Sequence, residues 1–333
     1  MSKRLQSLVL ADDLTGAADC AAAFLGRAEN SAVTLGTKAL SRADVLAVDL
    51  DTRGRSERAA RRIVRDAFAS RAAARADILF KKIDSTLRGH VAAELATART
   101  ALGAWRKVIF APAFPAQRRI VRGGRLYVNG KPLPAARCAA LAASGISILD
   151  AATDADLDAI ARRGLAMRPR PLFVGSAGLA QALARRLPKR APKRVAAEPR
   201  PVVTVVGSAL PVSLRQAQRL SRSTVAQSGH VLLQIESRRV PTVNDRALAR
   251  RLGRLVARLA PRAHYVLTGG ETARAVLDAL GVREFRLLGE VERGVPFGIA
   301  PGGALVCTKA GGFGGPDTLV HCVARLKREM KST

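Results

Sequence analysis

The chain has 333 residues, 48% of them hydrophobic and 4% aromatic, with 56 lysines and arginines against 26 acidic residues for a formal charge of +30. No apolar run approaches the ~20 residues that span a bilayer. The scarcity of aromatic rings argues against a stacking platform for single-stranded nucleic acid despite the charge, and a positive field that gathers anionic metabolites is the better use of it.

Strand candidates at Leu8–Ala11, Leu46–Leu50, Ile78–Lys81, Val108–Ala111, Ile146–Leu149 and Leu172–Val174 alternate with helical patterns. A second series does the same at Val202–Val206, Val231–Ile235, Tyr265–Leu267, Phe285–Leu288 and Leu305–Thr308. Alternation of this kind is the βαβ signature of mainly parallel sheets. Between them, Ser56–Ala76 carries Ile63, Val64, Ala67 and Phe68 on one helical face and arginines on the other. Thr153 is placed to cap a helix, and Gly281 to close the helix over Glu271–Leu280. From Arg185 to Pro201 the chain has four prolines, seven basic residues and no apolar periodicity, which reads as a solvated connector. The expectation is therefore an α/β protein of two domains, each a mainly parallel sheet flanked by helices: residues 1–187, a basic Pro-rich linker over 188–201, and residues 202–333.

Three polar turns end strands in the first half. Leu8–Ala11 runs into Asp12-Asp13-Leu-Thr15-Gly16, which delivers paired carboxylates and a helix N-terminus to one place. Such carboxylates can hold a metal or accept hydrogen bonds from a polyol. Asp49-Leu-Asp51-Thr52-Arg53-Gly-Arg55-Ser56 and Lys81-Lys82-Ile-Asp84-Ser85-Thr86-Leu-Arg88-Gly89 supply cations, carboxylates and hydroxyls. Arg or Lys pairs a carboxylate while Asp and Ser bind hydroxyls, a mixture suited to a small polyhydroxy acid. In a parallel sheet all three turns lie at the carboxyl ends of strands, where ligands bind in open α/β folds.

The second half has glycine turns instead. Thr268-Gly269-Gly270-Glu271-Thr272 and Lys309-Ala310-Gly311-Gly312-Phe313-Gly314-Gly315 each follow a strand and precede a helix, and Gly207-Ser208 ends another strand. Without a Cβ, backbone N–H groups can approach phosphate oxygens closely. A triphosphate would need several such donors, a cation such as Lys309, and Mg²⁺. Neither turn is a Walker A loop or a dinucleotide fingerprint, and no GxSxG elbow occurs. The four cysteines and four histidines show no metal-ligand spacing, so the thiols are expected to be reduced and packed. After Lys3 and Arg4 the only run before the aspartates is Ser7 to Ala11, too short for a secretory core, and a cytoplasmic protein is expected.

These residues resemble the four-carbon acid sugar kinase family, which includes D-threonate, D-erythronate and 3-oxo-tetronate kinases. The likeness rests on Ala11–Ala17, Asp51-Thr52, Lys81–Gly89, Pro112–Gln117, Asp150–Leu157, Gly175–Leu179, Gly269–Ala273 and Lys309–Gly314, in family order over nearly the whole chain. It implies an N-terminal domain for the sugar acid and a C-terminal domain for ATP. Carried over by position, Asp12, Asp13, Lys82, Asp84, Ser85 and Arg88 would hold the acid, with Arg53 beside them. Ser208, Gly269, Gly270, Glu271, Thr272, Gly311, Gly312, Phe313 and Gly314 would hold ATP, with Lys309 offsetting charge on the transferring group. Asp13, then Asp84 or Asp12, would orient or deprotonate the attacking hydroxyl. The chain departs from the pattern in three places. A segment is missing after Tyr127–Leu133, Gly207-Ser-Ala-Leu210 replaces a Gly-Ser-Cys-Ser type turn, and Arg118 stands where glycine is usual.

The leading expectation is thus an ATP- and Mg²⁺-dependent kinase acting on a hydroxyl of a tetronate or 3-oxo-tetronate. A shortened, non-catalytic relative that binds sugar acid or nucleotide is the alternative, with a basic nucleic-acid binder behind it. Its partners would be small molecules, without membrane or specific nucleic acid, and a homo-oligomer is kept open. The metal ligands, the acid and the hydroxyl are not specified by the sequence.

Overall fold

The computed structural model describes residues 5–37, 43–103, 107–134, 137, 141, 145–191, 195, 197–226, 229–235 and 246–330. It divides into two units, one of Met1–Ser31 with Gly36–Ala191 and one of Ala32–Leu35 with Pro192–Thr333. Residues 192–194 and 196 of the expected linker, and Cys138, lie outside the described residues.

The first unit is a parallel sheet in the order β3 (Val45–Asp49), β1 (Ser7–Ala11), β4 (Ile78–Lys82), β9 (Leu172–Gly175), β5 (Val108–Ala111). Its inner strands are buried along their whole length, as continuous apolar runs in a sheet covered on both faces should be. Helix α1 (Leu14–Ala22) packs on β1 and β3. Helix α2 (Glu57–Phe68) buries Ala60, Val64, Ala67 and Phe68 at one-face spacing and packs on α4 (Val91–Leu102). The single helix expected over Ser56–Ala76 is two, because Ser70 accepts from the Ala73 amide and caps a new helix, α3 (Arg71–Arg75). Thr153 and Asp156 form a reciprocal capping box at the start of α5 (Asp154–Ala166), which packs on α6 (Ala177–Arg185). The strand expected at Ile146–Leu149 is reduced to one bridge, Ile148 to Phe110. A small antiparallel sheet of β6 (Arg119–Arg122), β7 (Arg125–Val128) and β8 (Lys131–Pro132) precedes it.

In the second unit β11 (His230–Gln234), β10 (Val202–Val206), β12 (His264–Thr268) and β15 (Leu305–Lys309) run parallel. The antiparallel strands β14 (Val295–Ile299), β13 (Glu284–Glu292) and β2 (Ser31–Leu35) continue the sheet. Helices α7 (Pro211–Ser221), α8 (Arg246–Leu259), α9 (Gly270–Ala279) and α10 (Thr318–Glu329) cover it. Val202, Val206, Val266, Phe297, Leu305, Leu319, Val323 and Leu326 are among its core. Gly281, at φ +72°, closes α9 through its amide to the Asp278 carbonyl.

Each unit sets one parallel strand between two that follow it in the chain: β1 between β3 and β4, and β10 between β11 and β12. In each unit the chain leaves that strand toward one side of the sheet and leaves its other neighbour, β4 or β12, toward the opposite side, which opens a crevice at their carboxyl ends. The polar turns of the first unit and the glycine turns of the second occupy those crevices.

Candidate active site

In the first unit, Asp13 caps α1, its Oδ1 accepting from the Gly16 amide at 3.0 Å and its Oδ2 from the Thr15 hydroxyl at 2.8 Å. The chain leaving β3 turns through Asp51 at φ +52°, and the amides of Thr52 and Arg53 donate to the Asp12 carbonyl. That anchors Arg53 directly over the acidic pair. Its Nε and Nη2 donate to the two Asp12 oxygens at 2.8 and 2.9 Å, and its Nη1 and Nη2 to the two Asp13 oxygens at 2.9 Å each. Asp84 Oδ1 lies 3.7 Å from the same guanidinium. One planar fork therefore grips two carboxylates at once, a geometry lysine cannot supply.

Asp84 organises its own turn. It accepts from the amides of Thr86 and Arg88, from the Thr86 hydroxyl, and from Arg88 Nε and Nη2 at 2.9 and 2.7 Å. Ser85 is half-buried beside it. Lys82 is buried against Gly16: a Cβ there would lie 2.6 Å from both Lys82 Nζ and Asp13 Oδ1, so a side chain at that position would displace the charged groups. Lys81, one residue earlier on the strand, pairs with buried Glu94 at 2.7 Å and plays no part in the cluster.

Burial alone would raise the Asp13 carboxyl, but the Arg53 guanidinium and Lys82 ammonium overcome it and hold it below the usual carboxylate range. Burial also opposes ionisation of Asp84, and hydrogen bonds from Arg88 with the field of Arg53 drive it well below that range. Burial alone would lower Lys82, but the fields of Asp12 and Asp13 hold it above its ordinary value. Asp13 and Asp84 are thus held ionised beside three cations, Arg53, Arg88 and Lys82.

Two residues extend the cluster beyond the sequence expectation. Half-buried Arg119 lies within the fields of Asp84, Arg88 and Asp19, and burial pulls its pKa down. Arg137 Nη1 donates to the Thr86 carbonyl at 3.1 Å. The dipeptide Arg118-Arg119 after a buried Phe114 was the available signal.

In the second unit the three expected turns interlock. A Cβ on Gly207 would overlap the Thr272 hydroxyl, and one on Gly311 would overlap the Ser208 hydroxyl. Gly269, at φ +96°, has Ser208 Cβ 3.7 Å from its own missing Cβ. Ser208, Gly269, Thr272 and Gly311 are therefore brought together, and glycine is what lets the backbones approach. Ser213 donates to the Gly311 carbonyl at 2.7 Å, and Gln216 to those of Phe313 and Gly315 at 3.1 and 2.7 Å. Gly314, at φ +85°, abuts Thr318. Glu271 pairs with Arg246 at 3.3 Å, and Gly270 opens α9.

Lys309 corrects the expectation of a cation aimed at phosphate. It is fully buried, and its ammonium donates to the carbonyls of Ala310, Gly311 and Phe313 at 3.0, 3.3 and 3.1 Å. Burial lowers its pKa to about 8. Its work is to fold the glycine loop, together with the Phe313 amide, which donates to the Ala310 carbonyl at 3.0 Å.

No group of three or more His, Cys, Asp or Glu side chains among the described residues is disposed to hold a metal ion. No described helix is long and apolar enough to cross a membrane. Cys20, Cys307 and Cys322 are buried free thiols.

A family model described as a sugar-binding N-terminal domain matches residues 7–139 and 134–183, and one described as a nucleotide-binding C-terminal domain matches 232–319. A D-threonate kinase of Bordetella bronchiseptica is 33% identical over 407 positions, covering 98% of each chain. Another, from Cupriavidus necator, is 33% identical over 404 positions, covering 94% of this chain and 96% of its own. Alignments that long against 333 residues mean that these relatives carry internal segments this chain lacks. The N-terminal match is split at 134–139, directly after the Tyr127–Leu133 stretch. The crystal structure of a Salmonella typhimurium protein, provisionally named a tRNA synthase, shares the fold with a TM-score of 0.74 at 19% identity over 96% of this chain and 98% of its own. The chain belongs to the four-carbon acid sugar kinase family, phosphotransferases with an alcohol acceptor, built from a sugar-binding and a nucleotide-binding domain.

Proposed function

We propose that this protein is an ATP-dependent kinase that phosphorylates a hydroxyl of a four-carbon sugar acid, with D-threonate the first candidate. The observation that carries the reading is the double fork of Arg53 on Asp12 and Asp13, with Lys82 and Asp84 beside it. It is a buried polar cluster whose every acceptor has a donor that a polyol can replace. Hydroxyls of the acid take over lone pairs on Asp12 and Asp13, while Lys82 and Arg88 face its carboxylate. Asp13 is ionised at neutral pH and so accepts the hydrogen of the attacking hydroxyl. Its depressed pKa makes it a weak base. In a loose phosphoryl-transfer transition state, positioning the nucleophile matters more than removing its proton early.

In the second unit the turns around Ser208, Gly269–Thr272 and Gly311–Gly314 offer backbone donors to the phosphates. Mg²⁺ would arrive with the nucleotide and offset the negative charge of its phosphates, and it would not need a dedicated protein cage. Free, buried thiols fit a cytoplasmic location.

ADP release from ATP and Mg²⁺ across a panel of D-threonate, D-erythronate and 3-oxo-tetronate tests the reading, with acid-dependent turnover expected. In Asp13→Asn the amide oxygen still caps α1, so the fold survives, and kcat falls about a hundredfold or more while ATP binding persists. Unchanged turnover would remove Asp13 from this role. The split N-terminal match supports a second reading, a non-catalytic binder. ATP binding with no turnover on any acid would select it.

A further inference from the structure

The second unit has an apolar stripe that the phosphate turns leave unused. Among the described residues the exposed large apolar side chains are Leu210, Leu214, Val231 and Leu259, and two of these open α7. Leu210 Cδ1 lies 3.3 Å from where a Cβ on Gly311 would stand and 3.7 Å from one on Gly312, so the stripe begins against the glycine loop. One turn later, Leu214 lines a cavity of about 420 Å³ between α7 and the edge strand β11, together with Gln218, Leu232 and Gln234. That size lies within the ~300–1,000 Å³ of small-molecule sites. The neighbouring face of α7 is already committed, since Ser213, Gln216, Ala217 and Leu220 are buried and the first two hold carbonyls of the loop. Leu210, Leu214 and Gln218 recur every four residues on the face that remains. Neighbouring β10 and β12 are buried throughout, whereas β11 is only part-buried beside this face.

We propose that this groove seats the purine base of the phosphoryl donor. Leu210 and Leu214 cover one face of the ring, and the amides of Gln218 and Gln234, each both donor and acceptor, meet its polar edge. Continuity with the glycine loop supplies the direction: phosphates on Ser208, Gly269–Thr272 and Gly311 leave the nucleoside to extend past Leu210. The inference rests on the kinase reading above and assigns the base end of the same nucleotide.

Steady-state kinetics on the full chain test it. Leu214→Ser, at an exposed position, raises the KM for ATP roughly tenfold, the loss expected when apolar contact with a ligand is removed. Leu214→Met keeps the apolar face and stays near the wild-type value. The KM for the sugar acid is unchanged. Inhibition by tripolyphosphate, which has no base, is equal in all three proteins. An unchanged KM for ATP in Leu214→Ser, with tripolyphosphate still competing, would place the base elsewhere and leave the kinase reading intact. Absence of ATP-dependent turnover in the wild type would overturn both.

Discussion

The two units share a strand plan and fill its crevice in opposite ways. Around β1 the strand ends carry charged side chains, and side chains cap α1, α2, α3, α5 and α6. Around β10 the strand ends carry glycine, and α7, α9 and α10 start without any side-chain cap. The backbone conformations divide in the same way. The non-glycine residues at positive φ among the described residues, Asp51, Leu87, Arg118 and Asn129, all belong to the first unit. A polyol acid has hydroxyls at defined angles that only oriented side chains can read. A phosphate chain is a repeating anion that backbone amides and helix ends can hold. The crevice is common; the chemistry is set by whether side chains or main chain line it.

Removing the centre of the side-chain crevice tests this division hardest. Arg53→Met leaves Asp12, Asp13 and Asp84 buried together without the guanidinium between them. Breaking such a buried network costs about 3–5 kcal/mol. The first unit should lose that stability and its affinity for the sugar acid, while ADP still binds the second. Urea melts and calorimetric titration with ADP check it; loss of ADP binding along with the acid would refute the separation. The main-chain crevice has its counterpart in Gly207→Ala. The added methyl overlaps the Thr272 hydroxyl and pushes β10's turn away from α9. Overpacking of this kind costs about 1–3 kcal/mol, expected as a higher KM for ATP with that for the acid unchanged.

Acid separates the units more gently. His264 is buried, its Nδ1 accepting from the Leu305 amide at 2.9 Å while Nε2 faces the Glu198 carbonyl at 3.0 Å. Burial holds its pKa below the ordinary 6.5. The folded state keeps it neutral while the unfolded chain takes up a proton, so its contribution is full above pH 6.5 and is lost as pH falls through the depressed value. Asp13 and Asp84 are held below the ordinary 3.8 by their cations. Their contribution is intact above pH 3.8 and disappears only below it. Denaturant melts between pH 7.5 and 5 should therefore weaken the second unit first. A first unit that softened before it would contradict the assignment.

Much of this was legible in the chain. Asp12-Asp13 after an apolar run, and paired glycines after two others, place the crevices because strand ends and missing Cβ atoms are local facts. Partner choice is not local. Arg53 was expected near the acid, yet nothing in its neighbours shows that one guanidinium takes both aspartates, nor that Lys309 turns inward to three carbonyls. The small antiparallel sheet is written in its turns: Gly123-Gly124 and Asn129-Gly130 are positive-φ pairs between β6, β7 and β8, the dipeptides that two-residue hairpins require. Ala32–Leu35 was not readable, because its partner β13 lies some 250 positions away along the chain.

The smallest effect concerns strain beside the side-chain crevice. Arg118 follows the turn Pro115–Gln117 at φ +55°, with its amide on the Pro115 carbonyl, and its side chain is exposed. Left-handed backbone crowds the Cβ of any residue but glycine. Arg118 therefore occupies a position whose conformation suits glycine, the residue that the family resemblance leads one to expect there. Arg118→Gly relieves the crowding and gives back part of the gain as chain entropy in the unfolded state. The net of these two opposing terms is a stabilisation of about 0.5–1 kcal/mol, read as a higher Tm. The KM for the acid should hold, because the backbone that carries Arg119 already has the conformation glycine prefers. A lower Tm would mean that the Arg118 side chain contributes more than its exposure indicates, and that the first unit uses side chains even at its strained turns.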